Sequence, residues 1–554
     1  MTFIKKILLI SSFLGFFTIY AQKELHVATN GNNQTGTGTI ENPYKTIQHA
    51  ANLAEPGDLV LVHEGTYRNS QFGDNDIWEG DNLAKITANG SVGNYITFRP
   101  FKNNKVLLEF DHTYGILFSN ASYIKFTGFE IKGIADNITK TEADEHWGIY
   151  KENDILKDLA VELGIDITDP SIVDQRFDKP SKPGIKKPSY YNGRGIVANK
   201  SHHIDITNNI IRDVPSSAIR AQQSDYINIV ENEVYNNTYW TTLGVGAITV
   251  AEATVTPEGD TFTGEKIFIE RNNVHHNENR MISWNPGKTF VNMVIDEGTG
   301  IFLTRNRDTY SHGYIRIANN LSYFNGASGI VCHFTNNTNI VHNTTYKNGT
   351  TNSSIPGGIG VNNVDDVLIA NNIIYARPDK WAIGILAKPI TNLVVENNIV
   401  YNENGSIAVN RNIDDGWDET DPLLVDPENN DFSIASNSPA IDSGSITLIS
   451  DDIDKNLRND GSPDIGAYEY SHSLSNDNFE IPHFNVYPNP TSDYININSN
   501  TEIKNIQLYN QLGQNIPIQK LANGGNSIQL NLSYIPKGIY FLKMGDFTKT
   551  IIKK

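Results

Sequence analysis

The chain is 554 residues long, 38% hydrophobic and 19% charged, with a single cysteine. That length holds about three to five ordinary domains, or fewer if one is a long solenoid. The 44 Lys plus Arg against 63 Asp plus Glu give a net charge of -19, which argues against general nucleic-acid binding, whose affinity needs a basic footprint; one cysteine excludes an intramolecular disulfide.

In chain order, Lys5 and Lys6 precede an apolar run from Ile7 to Tyr20, and Ala21 stands before Gln22. The run is too short to span a bilayer comfortably, so residues 1–21 read as a secretory signal peptide, with no membrane span left after cleavage. Next comes ENPYKTIQHAANLAEPGDLVLVHEGTYRN, from Glu41 to Asn69. Its pattern predicts a short helix from Thr46 to Leu53, a turn at Pro56-Gly57-Asp58 and then a strand. This stretch resembles the opening segment of secreted pectate-lyase-like β-helix proteins, in which a helix caps the open end of the solenoid. A cap is physically required, because an open coil exposes strand edges and core.

From Ile204 onward a degenerate repeat dominates: IDITNNIIRD, INIVENEVYN from Ile227, IFIERNNVHH from Ile267, IRIANNLSYF from Ile315, NIVHNTTYKN from Asn339, VLIANNIIYA from Val367 and LVVENNIVYN from Leu393. Each alternates apolar and polar residues and then places an Asn, read as Asn209, Asn232, Asn273, Asn320, Asn343, Asn372 and Asn398. A second repeated strand lies between them, as in GRGIVAN from Gly193, SSAIRAQ from Ser216 and GTGIFLT from Gly298. Period-2 alternation buries one face, and two short strands per turn must stack on their neighbours to do so. The expected fold is all-β: a right-handed parallel β-helix with an N-terminal cap helix, its asparagines stacked in a ladder and Cys332 inward in the core.

Three inserts break the repeat. The insert at 135–192 contains KENDILKDLAVELGI, which reads as an amphipathic helix, and a Lys/Pro-rich arm. The others are Glu252 to Glu265 and Asn285 to Tyr314. Long inserts in a compact domain are uncommon unless functional. With the Ile column at Ile196, Ile219, Ile248, Ile301, Ile330 and Ile359 inward, one sheet surface presents Arg194, Arg220, Gln222 and His333, with Arg194 free to face either way. Glu252 and Arg305 lie at its turn, and Asp296-Glu297 enters its strand. Gln222, Arg305, Asn199 and Trp284 are assigned to substrate contact. A mixed acid/base patch beside inserts is a better site candidate than a uniform charge run.

Two chemistries fit these residues. In β-elimination on a uronic acid, Arg194 and Arg220 neutralise the carboxylate and His333 serves as base or acid. A tyrosine or lysine of the first insert (Tyr190, Tyr191, Lys186 or Lys187) completes the set. Ca2+ held by Asp296, Glu297 or Glu252 would be an alternative neutraliser. In glycoside hydrolysis, Glu252 pairs with Asp296 or Glu297 across the scissile bond. A surface carbohydrate-binding solenoid without catalysis is the third reading. The pairs His202-His203 and His275-His276 should diverge on their strands and hold no metal. NIDDGWDETDP, from Asn412 to Pro422, resembles a calcium-rich loop of one pectate-lyase family but sits beside the closing segment, where a structural role is expected. No organic cofactor is expected, and neither a phosphate loop nor a Ser-His-Asp constellation stands out.

Asp421 to Gly444 and SPDIGAYEY from Ser462 resemble the closing segment of the same β-helix superfamily, setting the catalytic domain at 22–470. A polar linker follows at 471–483. FNVYPNPTSDYININ from Phe484, LYNQLGQ from Leu508 and GIYFLKM from Gly538 resemble the C-terminal sorting domain of the Bacteroidetes type IX secretion system, placed at 484–554 as a small β-sandwich. That resemblance implies export across both membranes, release or attachment at the cell surface, and the secretion machinery as a partner. The favoured function is β-elimination on an acidic algal or plant polysaccharide or oligosaccharide, by a monomer.

Overall fold

Side-chain alternation with period 2 can be satisfied on both ends of the chain only by stacking strand on strand, and the computed structural model does so in two units, residues 1–471 and 472–554. Described are residues 22–73, 81–147, 188–282, 295, 297–351, 356–404, 416–445, 449–459, 461–470, 484–499, 506–511, 513–524, 527–544 and 547–554. The expected signal peptide, the amphipathic segment at 151–165, Lys186, Lys187, the linker, Trp284, Asp296 and residues 412–415 lie outside them.

The first unit is a right-handed parallel β-helix. Up to Tyr323 the coils have three strands rather than the two read from the sequence; one coil comprises Arg194–Asn199, His202–Thr207 and Ile210–Arg212, and in the last three coils the first two fuse into Ile330–Val341, Ile359–Ala370 and Ile383–Glu396. In this coil the third strand is only three residues long, too short for its alternation to register as a separate period. First and second strands join a 17-stranded sheet and third strands an 11-stranded sheet, with parallel pairing from coil to coil. Ile196, Ile219, Ile248, Ile301, Ile330 and Ile359 pair in register and are fully buried. Cys332 pairs with Leu303 and Val361 in the same core, and burial pushes its thiol up to about 12.

The corners turn through residues in the left-handed region, such as Gln223, Glu252 and Arg305 with φ of 49°, 51° and 57°. Buried corner backbone must find partners, and asparagine supplies them. Asn320 Oδ1 accepts from Asn272 N at 2.9 Å and Asn272 Nδ2 at 3.0 Å, while Asn320 Nδ2 donates to Ile269 O at 2.8 Å and Asn343 Oδ1 at 2.9 Å. The ladder runs through Asn209, Asn232, Asn272, Asn320, Asn343, Asn372 and Asn398. Asn272, not Asn273, is the member in its coil; Asn273 begins the third strand. A second ladder, Asn237, Asn277, Asn325 and Asn348, closes another corner. Asn320→Ala is expected to cost about 3 kcal/mol, since each buried group left unpaired costs about 1–3 kcal/mol; urea unfolding of the variant beside wild type measures it.

The N-terminal end is covered by a helix. The helix Ile47–Leu53 is capped by Thr46, whose hydroxyl accepts from His49 N at 3.2 Å, and buries Ile47, Ala50 and Ala51. Along the flank of the solenoid, where residues 449–470 pack beside Ala318, Val341 and Ala370, Arg458, buried with Glu469, donates to its carboxylate at 2.6 Å and to the carbonyls of Asp451, Asp464 and Gly466. The second unit is a β-sandwich of two four-stranded antiparallel sheets around Ile495, Ile497, Leu508, Leu530, Leu542 and Ile551. Among the described residues no helix is long and apolar enough to cross a membrane.

Candidate active site

The first strands of successive coils form the outward surface on which the sequence places its candidates. One column runs Lys85, Leu117, Val197, Arg220, Thr249, Phe302 and Val331. A second runs Ser119, Asn199, Gln222, Ala251, Thr304 and His333. Both agree with the order expected from sequence.

The facing of Arg194 follows from its neighbour. A Cβ on Gly195 would stand 2.4 Å from Ala218 O and 3.0 Å from Ile211, a core residue of the opposite sheet. Gly195 therefore points inward next to the inward Ile196, and Arg194 turns outward. Arg194 pairs in register with Tyr114, and its guanidinium centre lies 6.0 Å from the Tyr114 ring. Burial pulls the Arg194 guanidinium down, opposed by Tyr114. Burial, then Arg194 and Arg305, pull Arg220 down to about 9. Arg220 Nε donates to Gln222 Oε1 at 3.1 Å, and Arg194 Nε is buried without a hydrogen-bond partner. Among the described residues neither arginine has a carboxylate within ion-pair distance. A half-buried and a buried cation that repel each other, with Glu252 acting on Arg220 only from beyond ion-pair distance, are costly, so the pair is suited to an anionic ligand. Tyr114, electrostatically coupled to both arginines, is absent from the sequence candidates. Its signal is the TYGI of Thr113 to Ile116, which aligns with the GRGI of Gly193 to Ile196 across the first insert.

Glu252 is held at its corner by three donors: Arg305 at 3.0 Å, Gln223 at 3.1 Å and Gln222 at 3.4 Å. Glu297 lies at the opposite end of the same strand, its Oε1 within 2.7 Å of where a Gly244 Cβ would be. The strand between them, Gly246–Ala251, is about 17 Å long at ~3.3 Å per residue. That separation exceeds the roughly 5–9.5 Å of paired glycosidase carboxylates, so Glu252 and Glu297 do not form the expected pair. Of the expected calcium ligands, Glu252 is occupied by a guanidinium and two amides, which does not suit it to calcium, and Asp296 lies outside the described residues.

His333 accepts or donates at 3.0 Å to Thr304 Oγ1 and lies over Phe302. Three strand spacings separate it from Gln222, about 14 Å, so His333 and the Arg194–Arg220 pair do not converge on one sugar ring. Burial, then Arg305, pull its pKa below the ordinary histidine value. Arg305→Gln removes the cation that disfavours imidazolium. The His333 titration midpoint, followed by NMR of the ring protons, is expected to move up in this variant.

Other expectations are corrected. Tyr191 is buried among Trp240, Met281 and Ile138, with His146 stacked on it at 4.1 Å, a packing role. His202 and His203 do not diverge: their Nδ1 atoms are 2.8 Å apart because His203 adopts φ of 55°, and His203 stacks between Tyr123 and Tyr226. His275 and His276 meet in the same way.

Comparison with known proteins adds the following. Residues 25–161 match the family described as Pel9A-like, right handed beta helix region, and residues 485–554 match the secretion system C-terminal sorting domain. The latter marks the chain for export to the cell surface or beyond by the type IX machinery. The uncharacterized protein YwoF of Bacillus subtilis (strain 168) is 31% identical over 99 residues, 18% of this chain and 17% of that protein; the match thus spans about a sixth of the curated relative. Among solved structures, pectate lyase Pel9A is 14% identical, with 82% of this chain and 98% of that chain covered at a TM-score of 0.37. XylC in complex with xylose is 11% identical, with 81% and 98% covered at 0.38.

Proposed function

We propose that this exported β-helix cleaves uronic-acid-containing glycans, of algal or plant type, by β-elimination. The observation that carries the reading is the outward Arg194–Arg220 pair, Arg220 buried and Arg194 half-buried, without a carboxylate in ion-pair distance among the described residues. A sugar carboxylate seated between the two guanidiniums would be neutralised, which acidifies the adjacent C5 proton. Tyr114 is assigned the proton transfer, entering the step as its phenolate and taking that proton to become the phenol. The C5–H electron pair then forms the C4–C5 double bond, the C4–O bond breaks, and the departing oxygen receives a proton, returned by Tyr114. Gln222 orients Arg220, and Arg305 and His333 meet neighbouring rings of the glycan. Hydrolysis is disfavoured by the distance between Glu252 and Glu297.

The test is ultraviolet absorbance of the conjugated double bond while the protein is incubated with galacturonate and alginate oligosaccharides, with and without chelator. A rise that is lost in Tyr114→Phe supports elimination at this site. New reducing ends without absorbance would replace it with hydrolysis, and retention on the glycan without either signal would leave a binding module.

A further inference from the structure

At the N-terminal end of the same outward surface, a cavity of about 550 Å³ opens between the cap helix and the first coils. Its walls come from Lys45, Thr46 and Gln48 on one side and from the strands Gly65–Arg68 and Asn82–Ile86 on the other. Register ties it to the candidate active site. Asn82 pairs with Tyr114, the partner of Arg194, and Lys85 heads the column that contains Arg220. Three strand spacings, about 14 Å, separate the backbones of Lys85 and Arg220.

The charges lining the cavity are not balanced internally. Arg68 is taken by Glu109 at 2.7 Å, and the Asp81 carboxylate is filled by Asn69, Ser70 and Gln71. Lys45 and Lys85 are exposed and form no ion pair among the described residues. Asn82 keeps a buried Oδ1 with no hydrogen-bond partner. The ligand chemistry this set calls for is a carboxylate for the lysines together with a hydroxyl donor for the amide oxygen, which an acidic sugar ring carries in one unit. Gln48 closes the far side: it bonds the Lys85 backbone in both directions, at 2.6 and 2.9 Å, and so pins the cap helix against the strand.

We propose that this cavity is a terminal subsite that holds a chain-end uronate of the glycan cut at the arginine pair, so that cleavage falls at a fixed distance from that end. The proposal rests on the reading under Proposed function. Because the cap helix walls the cavity, a polyuronate lying along the surface cannot continue past it, and occupancy requires a chain long enough to reach across three coils.

Calorimetric binding of a ladder of galacturonate oligosaccharides, from di- to octasaccharide, to wild type, Lys85→Ala and the Lys45→Ala/Lys85→Ala double variant tests this. The expected result is length-dependent. Losing a charge-assisted contact weakens the long oligosaccharides by about tenfold or more, while di- and trisaccharides bind as to wild type, and product sizes broaden. Equal weakening at every length, or none, overturns the subsite; Asn82→Ala gives the same readout without changing charge. A wild type that binds the ladder through Arg220 but is indifferent to the lysines overturns only the cavity, whereas a wild type that binds none of it overturns the active-site reading itself.

Discussion

Arg220→Ala is expected to lower the elimination rate by about 10²–10³-fold, the loss that follows removal of one preorganised charge-stabilising donor. Arg220 faces outward from the core, in register between Val197 and Thr249. Its truncation also relieves repulsion with Arg194 and Arg305. The fold should therefore persist, and the loss should appear in the chemical step. Arg220→Lys should recover only part of the rate, because an ammonium cannot grip a carboxylate through two parallel bonds. Tyr114→Phe separates the roles: it keeps both guanidiniums, so glycan affinity stays near wild type while kcat falls. Initial rates by absorbance, paired with calorimetric affinity, read these outcomes. Wild-type rates in Arg220→Ala would move the chemistry away from this pair.

The pattern of elimination candidates also shows what a sequence can convey. The inward isoleucine column was legible because strand alternation is strict between corners, and it carried the two outward columns with it. It was illegible where alternation breaks. At Gly195-Ile196 two successive residues point inward, possible only because a Cβ at 195 is missing, and this alone decides the facing of Arg194. In RNNVHH two adjacent asparagines compete for one ladder position; the repeat frame that puts Asn209 five residues after Ile204 and Asn232 five after Ile227 falls on Asn272, and the hydrogen bonds agree. Tyr114 was hidden because the insert separates its strand from the repeats that define the columns. Axial distance was the other loss: a column gives the order of residues but makes Arg220 and His333 look like neighbours although three strand spacings lie between their strands.

The largest expected loss of stability lies where the closing segment packs along the flank of the solenoid. Arg458→Met is expected to destabilise the first unit by about 3–5 kcal/mol, the cost of leaving a buried charge without its partner. The side chains of Arg458 and Glu469 are 1% and 3% exposed, and Arg458 also donates to three carbonyls and to Asn319 Oδ1. Asn319 belongs to the coil and the carbonyls to the closing segment, so one guanidinium fastens that segment to the side of the solenoid. The same segment is held by Asp452, which accepts from the backbone of Asp454, Asn456 and Glu469, and by Asp464, which accepts from Asp442 and Tyr470. A lysine has too few donors to replace this fork, so Arg458→Lys should recover little. The double variant Arg458→Met/Glu469→Leu removes both charges and should cost less than Arg458→Met alone. Urea unfolding distinguishes these cases, and limited proteolysis of the closing segment should accelerate only where that segment is loosened. If Arg458→Met unfolds at the wild-type midpoint, the segment is held by its apolar contacts, Phe432 and Ala467 against Tyr323 and Tyr346, rather than by charge.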